Sequence, residues 1–166
     1  HENLSAICEA ATGKPLARYW LHNEGVVETQ TEAGAGPITV RELLNQGWRG
    51  EEIRYLLLAT HYRKPVQVSP EALEAARRSR RRFDLFLERL QSLPQGEPYP
   101  ELPDLLTKLE QDFIAALDDD LNIAGALAVL FNFLRHLNRR LSGPGLTREE
   151  AAMVLERCHR LDQVLG

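Results

Sequence analysis

The sequence predicts a mostly α-helical protein in which an antiparallel helical bundle follows a smaller α/β piece. Four amphipathic stretches after Ser69, separated by segments that contain Gly and Pro, predict the bundle. The residues before Pro65 instead mix short apolar runs with aromatic side chains and a loop, Glu32–Pro37, that cannot continue a helix. We therefore expect two domains, residues 1–65 and residues 66–166.

The first two helices of the bundle are predicted from a cap and from apolar spacing. Ser69 caps free backbone N–H groups, and Pro70 follows at a position where its missing N–H is tolerated. After an extended connector, Gln95–Pro100, a second helix is predicted from about Glu101 to Leu117. The residues expected to face the core on these helices are Leu73, Ala76, Phe83, Leu87, Leu90, Leu105, Leu109, Phe113 and Ala116.

The last two helices carry clearer signals. Either Asn122 or Asp120 is expected to cap the third helix, whose apolar residues alternate in steps of four and three. A tight turn, Ser142–Gly145, precedes the fourth helix, where Thr147 and Glu150 form a capping box. The expected core residues are Ile123, Leu127, Leu130, Leu134, Leu137 and Leu141, followed by Ala151, Val154, Leu155, Cys158, Leu161 and Leu165.

The composition excludes several classes of protein. A hydrophobic fraction of 43% and a net charge of −4 are typical of a globular chain and not of a disordered one. No apolar run approaches the roughly 20 residues that cross a bilayer, and His1–Thr12 lacks a secretory signal pattern. Two distant cysteines predict a reducing, cytoplasmic setting. The acidic run Asp118–Asp120 is expected to cap a helix and not to bind a metal, because adjacent helical residues point in different directions.

The basic residues are unusual because 17 of the 20 are arginines, the side chain best suited to bidentate phosphate contacts. Five of them lie within Arg77–Arg82. One interpretation is a solvated helix face in which arginines pair with the acidic residues of the same helix. The other interpretation is a surface that faces phosphates. The spacing alone leaves both open. The acidic residues of the first interpretation are Glu71, Glu74, Asp84 and Glu88.

Six stretches occur in a recognisable order: His1–Asn3, Cys8–Pro15, Tyr19–Asn23, Ile38–Leu44, Glu52–Pro65 and Ala116–Asn122. Together they resemble the C-terminal half of cysteinyl-tRNA synthetase, a class I aminoacyl-tRNA synthetase. The resemblance implies that residues 1–65 are the remnant of a Rossmann-type catalytic domain with its stem-contact region. It also implies that the following bundle contacts tRNA. The reaction of the family is the ATP-dependent ligation of cysteine to tRNA.

The chain departs from this family where the family performs its chemistry. It has no HIGH motif, and Leu4 stands where the family's HHENE motif carries a zinc-binding Glu. The positions of the KMSKS loop fall on Thr29–Ala33, which contains no lysine to hold ATP phosphates. The family uses ATP and zinc, but we expect no catalytic residue, metal or cofactor in this chain.

These departures fit two accounts. The chain is either the C-terminal part of a synthetase, or a divergent paralogue that kept tRNA handling and lost catalysis. Leu4 and the missing lysines favour the second account, because removing the N-terminal half of a protein does not change its remaining residues. Non-catalytic alternatives are a tRNA-binding module and a protein-interaction subunit. In the latter, a partner or a second copy covers the truncated catalytic half.

The resemblance also implies two sets of site residues. Trp20 and His22 lie where the family builds the wall of its adenylate pocket, although a buried aromatic beside a hydrogen-bonded His is the alternative. The residues expected to contact tRNA are Arg54, His61, Arg63, Lys64, Arg77, Arg78 and Arg81. Arg54 is included because it lies seven residues before His61, which is two turns of a continuous helix.

Overall fold

The computed structural model describes residues 1–28 and 38–165, and these form seven helices and two short strands. The predicted loop Glu32–Pro37 lies outside the described residues, as do the KMSKS positions Thr29–Ala33. No helix in the described ranges combines the length and the apolar character that crossing a membrane requires. The elements are α1 (Glu2–Thr12), β1 (Val26–Glu28), α2 (Val40–Asn45), α3 (Gly50–Ala59), β2 (Val66–Val68), α4 (Pro70–Gln91), α5 (Leu102–Asp118), α6 (Ile123–Leu141) and α7 (Arg148–Leu165).

Helices α4 to α7 surround the larger of two hydrophobic cores. On α6 the predicted seam is confirmed from Leu127 to Leu141, because each of its leucines is buried. Cys158 lies in the same core, as predicted, and burial raises the pKa of its thiol to about 12. The mostly helical fold class is therefore confirmed, whereas the antiparallel order of the helices stays a prediction.

Helix α4 differs from its predicted pattern because it contributes to both cores. Leu73 and Ala76 pack into a smaller core formed with α2, α3 and β2. Further along α4, Phe86 and Leu90 enter the larger core. Phe86, which the sequence analysis missed, is only 2% exposed, while Phe83 is partly buried. The prediction of one apolar stripe along α4 is wrong, because the two ends of this long helix pack into different cores.

The small core is closed by the two-stranded parallel sheet, in which Val26 pairs with Val66 and Glu28 with Val68. Val66 and Val68 point into the core, whereas Val26 and Val27 are exposed. The sheet therefore buries apolar residues from β2 only. Helix α1 contributes no buried residue at all.

The predicted caps are present with one exception. The Ser69 hydroxyl accepts a hydrogen bond from the Ala72 backbone N–H, and Thr147 and Glu150 form the capping box. At α6, Asn122 Oδ1 accepts from the Gly125 N–H at 2.8 Å. The prediction that Asp118–Asp120 cap this helix is wrong, because Asn122 is its N-cap. Asp118 and Asp119 lie at the end of α5, and the Asp120 carboxylate is held by side chains that follow α3.

The two predicted connectors lie side by side. Gly96 N–H donates to Leu146 C=O at 2.9 Å, and Glu97 N–H donates to Pro144 C=O at 3.0 Å. Arg140 reinforces this contact, since its guanidinium donates to the carbonyl oxygens of Gly145, Glu97 and Pro98. These bonds fix the path between α4 and α5 against the turn that joins α6 to α7.

Candidate nucleic-acid interface

Three predicted contact residues, His61, Arg63 and Lys64, lie with Tyr62 in the turn between α3 and β2. We call residues 61–64 the basic turn. The His61 and Tyr62 rings stack with centroids 5.0 Å apart, and the Arg63 guanidinium lies 4.9 Å from the Tyr62 centroid. The turn therefore combines two aromatic rings with two cations on a short segment of chain.

Three of these side chains converge on Asp120, in the connection between α5 and α6. Arg63 donates from Nε to Asp120 Oδ2 at 2.7 Å and from Nη2 to Oδ1 at 2.9 Å. The Tyr62 hydroxyl donates to Oδ1 at 2.5 Å, and His61 Nε2 lies 3.8 Å from Oδ2. The Arg63 bonds, followed by that from Tyr62, hold the pKa of the Asp120 carboxyl well below its usual range.

The basic turn nevertheless keeps outward-facing donors. Arg63 is bound through Nε and Nη2, and its side chain is still 64% exposed. Lys64 is exposed and makes no ion pair with any residue in 1–28 or 38–165. Both cations of the basic turn are therefore exposed to solvent.

Arg77, the first arginine of the α4 cluster, is engaged within the protein. Its Nε donates to Glu52 Oε1 at 2.8 Å and its Nη2 to Oε2 at 3.2 Å, while the guanidinium lies 4.2 Å from the Trp48 ring centroid. Glu52 is buried, and the Arg77 hydrogen bonds lower the pKa of its carboxyl. Arg77 therefore joins α4 to the start of α3.

The next arginines of α4 divide between the two interpretations of the sequence. Arg80 forms an ion pair with Asp84, as expected for a solvated face. Arg78 is 65% exposed, and its only ion pair in the described chain is a 4.0 Å contact with Glu74. Arg81 is exposed and has no ion-pair partner among the residues described. Arg78 and Arg81 are therefore the members of the predicted set whose charges remain accessible on α4.

Arg54 does not extend the basic turn in the way its spacing predicted. Helix α3 ends at Ala59, so His61 does not lie on the same helix and the two-turn argument is wrong. The Arg54 guanidinium instead donates to the Leu165 carbonyl oxygen at the end of α7, at 2.9 Å from Nε. This contact joins α3 to the bundle.

Trp20 and His22 lie together near the first residue of the chain. Their rings are stacked with centroids 6.3 Å apart, and the His22 ring centroid is 4.9 Å from that of His1. Trp20 is 45% exposed, so the alternative of a buried aromatic is wrong. The geometry places the predicted pocket residues side by side on an open surface.

Sequence reasoning missed a further basic surface on α6. Ile123–Leu141 contains no acidic residue, and Arg135 and Arg139 are exposed on it. Arg82 of α4 approaches this helix, with its guanidinium 5.4 Å from the Phe131 ring centroid. The signal in the sequence was the complete lack of Asp and Glu over this long helix.

Comparison with known proteins identifies the family of this chain. Residues 1–78 match the model of the tRNA synthetases class I (C) catalytic domain, and residues 112–166 match that of the DALR domain. A cysteine–tRNA ligase of Chlamydia pneumoniae is 36% identical to the chain over 171 aligned residues. The chain belongs to the cysteine–tRNA ligase family. A cysteine–tRNA ligase of Carboxydothermus hydrogenoformans is also 36% identical to this family member, over 172 aligned residues.

The alignments cover all of this chain but only part of each relative. The covered share is 36% of the Chlamydia pneumoniae protein and 37% of the Carboxydothermus hydrogenoformans protein. For a cysteine–tRNA ligase of Chlamydia trachomatis serovar D, which is 35% identical, the share is 38%. This family member therefore spans little more than a third of the length of the curated relatives it matches.

The residues present here do not fit a zinc site. Leu4, at the position implied for a carboxylate ligand, offers no donor atom and is 52% exposed on α1. Within residues 1–28 and 38–165, no group of three His, Cys, Asp or Glu side chains is arranged to hold a metal ion.

Proposed function

We propose that this chain is the tRNA-handling part of a cysteinyl-tRNA synthetase-like protein and does not by itself catalyse the ligation of cysteine to tRNA. The observation that carries the proposal is the set of exposed cations on the basic turn and on α4, within a chain of this family. These cations are Arg63 through its outer face, Lys64, Arg78 and Arg81. Exposed Arg and Lys side chains are the groups that hold nucleic-acid phosphates.

The remaining members of the predicted set have a supporting part in this proposal. Arg77 and Arg54 direct their donors to Glu52 and to the Leu165 carbonyl, so we assign them to holding α3 against α4 and α7. His61 packs under the Tyr62 ring and supports the basic turn. Trp20 and His22 are proposed as remnants of an adenylate pocket.

The proposed architecture is a bundle of antiparallel neighbours that follows the synthetase-like first domain. The proposed boundary near residue 66 leaves β2 and the start of α4, which complete the small core, on the bundle side. In such a bundle the alternate helices α4 and α6 run in the same direction. Two contacts support this order. Arg82 lies over Phe131, and seven residues further along α4 Arg89 donates to Asn138.

A binding experiment with an unmodified cysteine tRNA transcript tests the proposal. With about four phosphates neutralised, the association constant should fall about 100-fold between about 50 mM and about 200 mM salt. Lys64→Ala should weaken binding and reduce the salt slope by about one. Lys108→Ala is the matched control, because Lys108 is also exposed but already pairs with Asp112. Absence of binding at low salt would refute the proposal.

The second part of the proposal is tested by aminoacylation. The chain is incubated with cysteine, ATP and the tRNA transcript, and charged tRNA is measured against a reaction without protein. No charging above that background is expected, because the chain has no HIGH motif and carries Leu4 at the implied zinc-ligand position. Charging that increases with the amount of added chain would overturn this part.

A protein-interaction role is the second candidate, and the exposed apolar residues of the first domain favour it. Leu4 and Ile7 are exposed on α1, and Tyr19, Trp20 and Leu21 are exposed after it. Exposed apolar patches mark contact sites in soluble proteins. Light scattering tests it: a mass of two or more chains supports self-association, whereas a monomer at micromolar concentration contradicts it.

A further inference from the structure

Asp120 collects more side-chain contacts from a distant segment than its place in an acidic run suggests. Its carboxylate accepts two hydrogen bonds from Arg63 and one from Tyr62, at sequence separations of 57 and 58 residues. Asp120 is on the α5–α6 connection, while its partners are in the basic turn. The carboxylate therefore ties the basic turn to the start of the last helical hairpin.

The backbone around Asp120 is held in an uncommon conformation. Asp120 and Leu121 have φ values of +54° and +53°, a left-handed region that residues with a side chain rarely adopt. Such a conformation persists where surrounding contacts fix it. Here the Asn122 N–H donates to the carbonyl oxygens of Ala116 and Asp119, and the Asp120 side chain is fixed by the basic turn. The connection thus presents the carboxylate in one defined place.

The bidentate geometry also fixes the remaining face of Arg63. Nε–H and one N–H of Nη2 bind Asp120, so three of the five guanidinium N–H donors, two on Nη1 and one on Nη2, are left for another acceptor. The Tyr62 ring limits rotation of the guanidinium from one side. Arg63 is therefore held before any ligand arrives, which lowers the entropy lost when it binds one.

We propose that Asp120 is a positioning residue for RNA binding: by holding Nε and Nη2 of Arg63, it directs Nη1, together with neighbouring Lys64, toward a backbone phosphate. This inference rests on the proposed tRNA binding and specifies how one of its contacts is built. Asp120 itself touches no phosphate. Its negative charge acts through the Arg63 guanidinium, which binds a carboxylate along one edge and is free along another.

The opposite relation, competition, makes a different prediction. If a phosphate had to displace Asp120 from Arg63, removing the Asp120 charge would strengthen RNA binding. The positioning relation requires that the same change weaken binding, because a released Arg63 samples many rotamers. The direction of the effect therefore separates the two.

The experiment compares Asp120→Asn with Asp119→Asn in the 166-residue chain, using the cysteine tRNA transcript. Both changes remove one negative charge from the same connection, but Asp119 is exposed and no hydrogen bond of its side chain is found in the described chain. We expect Asp120→Asn to weaken binding about fivefold relative to Asp119→Asn, the scale of one exposed charge contact, and to reduce the salt slope by about one.

A double-mutant cycle supplies the readout that a purely structural role would not change. Arg63→Ala should weaken binding about fivefold in the Asp119→Asn background and have no further effect in the Asp120→Asn background. Tyr62→Phe, which removes a bond to Asp120 but keeps the Arg63 pair, should leave the salt slope unchanged. Thermal unfolding of each variant confirms that binding is compared between folded chains.

The outcomes separate this inference from the proposed function. Salt-dependent binding by the unchanged chain, with Asp120→Asn equal to or tighter than Asp119→Asn, overturns the positioning role and leaves tRNA binding intact. An Arg63→Ala effect of equal size in both backgrounds overturns it as well. If the unchanged chain binds no transcript at low salt, the proposed function fails and the inference falls with it.

Discussion

Replacing Arg77 by Ala should destabilise the fold, although the α4 arginine cluster resembles a surface feature in the sequence. Glu52 is only 5% exposed. Its carboxylate accepts two hydrogen bonds from Arg77 and one from the Arg49 backbone N–H. Removing the guanidinium leaves a nearly buried carboxylate with one partner. The Trp48 ring also loses the cation that lies over it.

The magnitude follows from these contacts. Leaving the buried Glu52 carboxylate with too few partners should cost about 2 kcal/mol of unfolding free energy. This cost is smaller than for a fully buried ion pair, because water can reach the partly exposed position of Arg77. The lost cation–π contact with Trp48 adds about 0.5 kcal/mol. We therefore expect the free energy of unfolding to fall by about 2.5 kcal/mol. Arg77→Lys should recover little of it, because an ammonium cannot reproduce the bidentate geometry.

Urea denaturation followed by circular dichroism measures this loss. Arg78→Ala is the matched control: it lies next in sequence on the same helix, is 65% exposed, and should change the free energy of unfolding by less than about 0.5 kcal/mol. A loss below about 1 kcal/mol for Arg77→Ala, or equal losses for both variants, would refute the reasoning.

The same pair predicts a pH dependence with a definite sign. The folded protein lowers the pKa of Glu52, so the ionised carboxylate stabilises the fold above its unfolded pKa, near 4.5, and this contribution is lost as pH falls through the lower folded value. The difference in unfolding free energy between the unchanged chain and Arg77→Ala should therefore shrink below about pH 4.5. A difference that stays constant from pH 7 to about pH 3 would contradict the linkage.

Two further predictions concern a glycine and the cysteines. A Cβ at Gly96 would lie 2.6 Å from the Leu146 backbone nitrogen, so Gly96→Ala should lower the free energy of unfolding by about 2 kcal/mol in urea denaturation. Gly50→Ala is the control and should not lower it, because the space around its Cβ is open. A thiol reagent at pH 8 should label Cys8 rapidly and Cys158 only on unfolding, because burial raises the pKa of the Cys158 thiol to about 12. Rapid labelling of both cysteines in the folded chain would disprove this prediction.

Features set by nearby residues were predictable from the sequence. The Ser69 cap, the Thr147–Glu150 box and the α6 seam each depend on residues within a few positions of one another, and all are present. The site was predicted less completely. Contact of Lys64 with tRNA stays a prediction, and its side chain is exposed. The bonds from Arg77 to Glu52 were not foreseen, because Glu52 lies 25 residues away in the sequence.

The amino-acid order alone determined the helical class, most helix starts and the family, since periodicity, caps and motif order are properties of neighbouring residues. Only the tertiary structure decided which arginines remain free and which acid serves which partner. A guanidinium is committed or available according to the carboxylates and carbonyls that packing brings to it. Packing places Arg77 against Glu52 and Arg63 against Asp120, and it leaves Lys64 in solvent.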